Sequence, residues 1–198
     1  MKFALLAGSA ALAAAFALGS TPALAQDEDQ GPLQVKVLAT AVLPDGKIKR
    51  VNTDIVGLPA ATQTEANNNV VPTVAIEYFF SDNFSVKTIC CMTQHDVDAV
   101  AKVIPATFTA KFHFDLGGIK PYVGAGPTYF IWINEKPGAA TIPLGVTRFK
   151  MSNELGIALQ AGADIPINDK GLSVSLDAKK YFVDTTARWF AGNTLAIE

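Results

Sequence analysis

From residue 33 onward, apolar positions recur every second residue, and helical periodicity is nearly absent. A period of two places alternate side chains on opposite faces of a strand. Strand one is read over Leu33 to Leu43, with Leu33, Val35, Val37, Ala39, Ala41 and Leu43 on one face and Gln34, Lys36, Leu38 and Thr40 on the other. Further strands are read over Val71 to Phe80, Phe84 to Met92, Ala106 to Phe114, Pro121 to Ile133, Asn153 to Ile165 and Leu172 to Val183. The fourth is the cleanest: Ala106, Phe108, Ala110, Phe112 and Phe114 oppose Thr107, Thr109, Lys111 and His113. The fifth is apolar on both faces and rich in glycine and aromatics. The stretch Thr93 to Ile104 reads as a loop or short helix, and residues 184–198 read as a tail without clear alternation.

Alternation alone does not say which face is inside. A soluble sandwich or lipocalin-like barrel turns its apolar face inward, whereas a barrel in lipid turns it outward. Three features favour lipid. Connections alternate in length, long after strands one, three and five and short after two, four and six, as in outer-membrane barrels with short periplasmic turns and longer external loops. Each apolar face runs for about ten residues, enough to cross a bilayer with a tilt. Tyr78, Phe79, Phe80, Phe84, Phe112, Phe114, Tyr122, Trp132, Tyr181 and Phe182 gather toward strand ends, which suggests interfacial girdles. A soluble barrel of this size would also carry more charge on its exposed face. The expected fold is all-β, an antiparallel transmembrane barrel of the eight-stranded type, with seven strands read and the eighth missing or irregular.

The amino terminus has a different grammar. Met1 and Lys2 precede an apolar run from Phe3 to Leu18, Thr21 and Pro22 break it, and Ala23-Leu24-Ala25 forms an A-x-A site. This reads as a signal peptide over residues 1–25, with the barrel domain over 26–198. The run is shorter than the ~20 residues of a spanning helix. Hydrophobic residues make up 49% and charged residues 17% of the chain, with a net charge of −2. That balance excludes a basic surface for nucleic acid. The adjacent Cys90 and Cys91 point to opposite faces of a strand, so they form neither a comfortable disulfide nor, with His95 and His113, a metal set.

If the apolar face meets lipid, the polar face lines the interior. The inward candidates are Lys36, Glu77, Lys87, Lys111, His113, Glu154, Asp164, Asp177 and Lys179. Four lysines against four carboxylates fit an ion-paired lumen, because an unpaired buried charge is costly. Eight strands enclose a narrow interior that side chains can fill, so a wide aqueous pore is not expected. Glu154 and Asp164 stand ten residues apart on one strand, too far for paired acid–base work. Gly124-x-Gly126 is not followed by a helix and reads as a curvature element, not a phosphate loop. No enzymatic activity, cofactor or metal is expected. Long connections bearing Ile55, Val56, Leu58, Ile142 and Leu144, together with Trp132, suit a hydrophobic funnel better than a polar adhesive tip.

With the strands placed, the chain resembles the OmpW family of outer-membrane proteins. The resemblance rests on LQVKVLATAVLPD (33–45), VPTVAIEYFFSDNFSV (71–86), IPATFTAKFHF (104–114), the most specific piece KPYVGAGPTY (120–129), GIALQAGAD (156–164) and LDAKKY (176–181). It covers about residues 33 to 186. The resemblance implies an eight-stranded barrel in the outer membrane of a Gram-negative bacterium, with a narrow hydrophobic channel open from outside. Small hydrophobic molecules would enter it and leave sideways into the membrane, and no catalytic residues are carried over. Outer-membrane lipid and small hydrophobic solutes are thus the expected partners, with a monomer the expected state. The family's eighth strand closes on a terminal aromatic, whereas this chain stops at Leu195-Ala-Ile-Glu198; Arg188 to Gly192 is the candidate for pairing with strand one. A structural or surface-interaction barrel with a plugged lumen is the alternative function, and a soluble periplasmic ligand-binding barrel is the second alternative.

Overall fold

A computed structural model describes residues 32–44, 47–57, 68–90, 93–96, 99–139, 141–167 and 173–198, and the short stretches 5–7 and 10–14. Of residues 5–7, 10–14, 47, 90, 93–96, 99 and 100 the backbone alone is described. Seven strands form an antiparallel meander: β1 (Leu33–Val42), β2 (Asn69–Ser81), β3 (Phe84–Cys90), β4 (Ala99–His113), β5 (Lys120–Pro137), β6 (Glu154–Pro166) and β7 (Ser173–Thr185). Each pairs with the next, in registers such as Gln34 with Glu77, Glu77 with Lys87, Lys111 with Gly124 and Gly162 with Asp177.

The face assignment decides between lipid and water. Leu155 is 71% exposed and Ile157 57%, while Ala158 and Gln160, of the opposite parity, are buried. The same inversion runs through Val35 and Val37 around Lys36, and through Phe108 and Phe112 around Thr109 and Lys111. In water that would leave a continuous apolar belt exposed, which burial of apolar surface opposes. The soluble ligand-binding barrel is therefore corrected: the apolar face is outside.

The sheet curls until distant strands meet through its interior. Lys36 of β1 reaches Asp164 of β6 at 3.1 Å, and Lys87 of β3 reaches Asp177 of β7 at 3.1 Å. Two glycines permit the wall to close in. A Cβ on Gly126 would sit 1.9 Å from the Phe108 carbonyl oxygen, and one on Gly162 would sit 2.5 Å from the Tyr122 hydroxyl. Close approach of the β4 backbone is thus the specific demand met at Gly126. The outer edge of β7 pairs with the backbone of Ala10–Ala14 and Leu5–Ala7, which lie in the expected leader. Residues 26–31, where the barrel domain was expected to begin, lie outside the described residues.

Three stretches differ from the sequence reading. The described residues of the expected loop or short helix 93–104 are strand: Thr93–Asp96 pairs with β4, which itself starts at Ala99. Its β-branched and small residues continue the inward pattern through Ala101 and Val103, both buried. The long connection after strand five is shorter than expected, since β5 runs to Pro137 and Arg148–Met151 is a strand. The tail is ordered too. Ala187–Ala191 pairs with Arg148–Met151 and with Thr194–Ile197 in a separate three-stranded antiparallel sheet. Arg188 to Gly192 therefore does not pair with β1. In this small sheet the alternation has the opposite sense: Phe149, Ala187, Trp189, Ala196 and Ile197 are buried together. Apolar side chains face lipid along the barrel wall, but beyond it they turn toward one another, as aqueous surroundings require.

Candidate functional site

The barrel interior is layered along its axis. Nearest the short turns lies a floor of paired charges. Glu77 Oε1 accepts hydrogen bonds from Lys111 Nζ and from Ser85 Oγ, each at 2.6 Å, and Glu77 Oε2 lies 2.8 Å from Lys36 Nζ. His113 Nε2 stands 2.9 Å from Ser85 Oγ and 3.3 Å from Glu77 Oε1. Asp164 accepts from Lys36 and from the Ser175 hydroxyl. Asp177 accepts from Lys87 at 3.1 Å, from the Tyr122 hydroxyl at 2.6 Å and from the Gln160 amide. Lys111 Nζ also sits 3.5 Å from the centroid of the Tyr122 ring. Multiple charge-assisted bonds to each carboxylate offset the desolvation that burial imposes. Lys179 is buried on the same face.

Above the floor the lining loses its charge. Buried Thr73, Thr107, Thr109 and Thr128 form a hydroxyl belt, with Thr107 and Thr128 2.7 Å apart. Beyond it, toward the long connections, the inward positions become apolar: Val103, Phe130, Ala158, Tyr181 and Val183 pack as one cluster against Trp132. The rings of Phe130 and Tyr181 meet edge to face at 5.5 Å. A second apolar cluster, built on Val146, Phe149, Trp189, Ala196 and Ile197, covers the mouth and also touches Trp132. Segment 51–57 is tied to that cover, with Ile55 N donating to the Ala196 carbonyl at 3.0 Å. The described interior is thus an apolar layer over a floor of paired charges.

This arrangement of outward apolar residues and inward charges has known relatives. Residues 29–196 match the sequence profile of the OmpW family. The chain belongs to that family. It is similar to the uncharacterized outer-membrane protein y4mB of Sinorhizobium fredii, 31% identical over 78% of this chain and 66% of that protein. The chain thus spans slightly less than two thirds of that relative's length. It is also similar to outer membrane protein W of Vibrio cholerae, 27% identical over 91% of this chain and 86% of the relative. Among solved structures it shares the fold of OprG from Pseudomonas aeruginosa, with a TM-score of 0.52 at 14% identity over 96% of this chain and 95% of that one. This OmpW-family chain is an outer-membrane β-barrel of the eight-stranded type.

The family fold brings most of the sequence-derived inward set together. Lys36, Glu77, Lys87, Lys111, His113, Asp164 and Asp177 share the floor, and Lys179 lies on its face. Glu154 is the exception. It is half-buried at the start of β6, opposite Phe130, one end of the barrel away from the lysines. Tyr122, Tyr181 and Trp132 were read as girdle residues but point inward, because they share the even parity of Thr128 on β5 and the odd parity of Asp177 on β7. Exposed aromatics gather at the short-turn end, where Tyr78, Phe80 and Phe84 meet in series and Phe112 packs on Phe114. Of the funnel candidates, Trp132 joins both apolar clusters and Val56 packs on the cover. Ile55, Ile142 and Leu144 are exposed. The 3-10 turn Ile142–Leu144 buries its flanks Thr141 and Val146 and leaves its own apolar residues outside the chamber. Leu58 and Cys91 lie outside the described residues. Gln160, Ser85 and Ser175 were missed as network members, although alternation places all three on the polar face.

Proposed function

We propose that this barrel gives small hydrophobic molecules a passage into the outer membrane. The observation that carries this reading is the apolar lining of Val103, Phe130, Ala158, Tyr181 and Val183 at the long-connection end, on the face that elsewhere is polar. A lumen evolved only as filler would continue its ion pairs; this one exchanges them for aromatic and branched aliphatic surface. The floor blocks continuation along the axis, so a solute that enters the chamber leaves through the wall into lipid. No residue is assigned a catalytic part, and neither a cofactor nor a metal is required. Outer-membrane lipid is the partner of the outward face, and the barrel works as a monomer.

The test is uptake of a small apolar fluorophore by cells with and without the protein. Uptake is expected to rise with the protein and to fall to background in Ala158→Trp, which fills the chamber while the folded barrel still shifts on boiling. Equal uptake with and without the protein sinks the reading. The ionic floor by itself favours a second reading, a plugged barrel acting through its loops; unchanged uptake together with a stable barrel selects that one.

A further inference from the structure

The junction of the two apolar clusters holds polar atoms that nothing in the protein satisfies. Trp132 lies there, in contact with both clusters, and its indole Nε1 is buried with no hydrogen-bond partner. Thr185 occupies the inward position between Val183 of the chamber and Ala187 of the cover. It is 1% exposed, with its backbone beside Leu5 of the expected leader, and its hydroxyl is also without a partner. Buried donors are nearly always paired, and leaving one unmade costs about 1–3 kcal/mol. Deeper unpartnered atoms, Thr109 Oγ1 and Gln160 Oε1, sit among polar neighbours. At the junction Trp132 packs against both apolar clusters, and in the cover the indole Nε1 of Trp189 is likewise without a partner. An indole N–H only donates, and a hydroxyl both donates and accepts, so the complement is an oxygen acceptor.

We propose that this junction is a subsite for the oxygen-bearing end of an apolar solute. The ligand class is an aliphatic or aromatic molecule with one carbonyl or hydroxyl. Its body lies against Phe130, Tyr181 and Val183, and its oxygen takes the hydrogen bond offered by Trp132 Nε1 or by the Thr185 hydroxyl. A pure hydrocarbon fills the same space but leaves both donors unmade. A site with buried donors discriminates strongly against an analogue that lacks the acceptor. The inference rests on the passage reading and gives it a substrate class.

Octane and octan-2-one are the probes, because they share length and differ in one oxygen. The purified barrel is used with Trp189→Phe, so that emission reports Trp132, the remaining one of two tryptophans. Octan-2-one is expected to shift that emission and to bind at least about fivefold more tightly than octane, the lower end of what a satisfied buried donor contributes. The preference is expected to fall toward one in Thr185→Val and to survive in Thr185→Ser, each variant first shown to shift on boiling. Transport of both probes into vesicles is measured in parallel. Selective binding without protein-dependent transport overturns the passage reading and leaves the subsite standing. Equal binding of the two probes, or a preference unchanged in Thr185→Val and, read by calorimetry in place of emission, in Trp132→Phe, overturns the subsite.

Discussion

At the scale of single residues, the interior turns on how many partners one carboxylate can serve. Glu77 meets Lys36, Lys111, Ser85 and His113, and it is fully buried. Glu77→Gln keeps the shape and removes the charge, leaving two buried ammonium groups with one acceptor fewer. Breaking such a pair from one side costs about 3–5 kcal/mol. The urea midpoint of the barrel in lipid vesicles is expected to fall accordingly; an unchanged midpoint would show that the floor is dispensable. Gly126 is equally exacting for a steric reason, since the Phe108 carbonyl occupies the place of any Cβ. Gly126→Ala is expected to yield no heat-shifted band after refolding, whereas Gly145→Ala, whose Cβ meets open space, strains only its own backbone. Parity made Lys36, Glu77, Lys87, Lys111 and Asp177 legible from sequence alone. Tyr122 was not, because aromatic residues on a strand apolar on both faces carry no parity signal, and its role depends on an Asp177 that is 55 positions away.

Among the elements, the three-stranded sheet of Arg148–Met151, Ala187–Ala191 and Thr194–Ile197 has a hydrophobic core of its own. Phe149 and Trp189 pack inside it as tilted rings, centroids 5.0 Å apart. Phe149→Ala is expected to cost the cover about 3–5 kcal/mol of local stability. Hydrogen exchange should then lose protection over 187–197 and keep it in β4 to β6; parallel loss in both would mean that cover and wall unfold as one unit. The seven wall strands were legible because lipid on one side and charge on the other enforce strict alternation. The cover was not, because its strands are four or five residues long and their sense is reversed. So brief a pattern reads as noise unless the partner strand is known. The apolar chamber escaped for a related reason: Val183 and Tyr181 continue the parity of Asp177 while changing its chemistry.

For the whole molecule, the outward belt sets the environment. Leu159 is exposed on the lipid-facing side of β6. Leu159→Arg is expected to cost roughly 2–4 kcal/mol if it lies near the bilayer midplane. Leu144→Arg, on the exposed turn beyond the wall, is expected to fall within about 0.5 kcal/mol of the parent. Refolding yield into vesicles compares the two, and equal effects would contradict the placement of the lipid band. The expected leader has its own check: the protein recovered from outer membranes should begin near Gln26 by mass. The ionic floor carries a last consequence, for assembly. Its members come from every wall strand: Lys36 from β1, Glu77 from β2, Lys87 from β3, Lys111 from β4, Tyr122 from β5, Asp164 from β6 and Asp177 from β7. A slip of one residue in any strand sends its member outward into hydrocarbon and strands its partners within. Misregistered intermediates are therefore penalised in each of the seven described wall strands, so the same contacts that build the floor also proofread the order and alignment in which the wall is built.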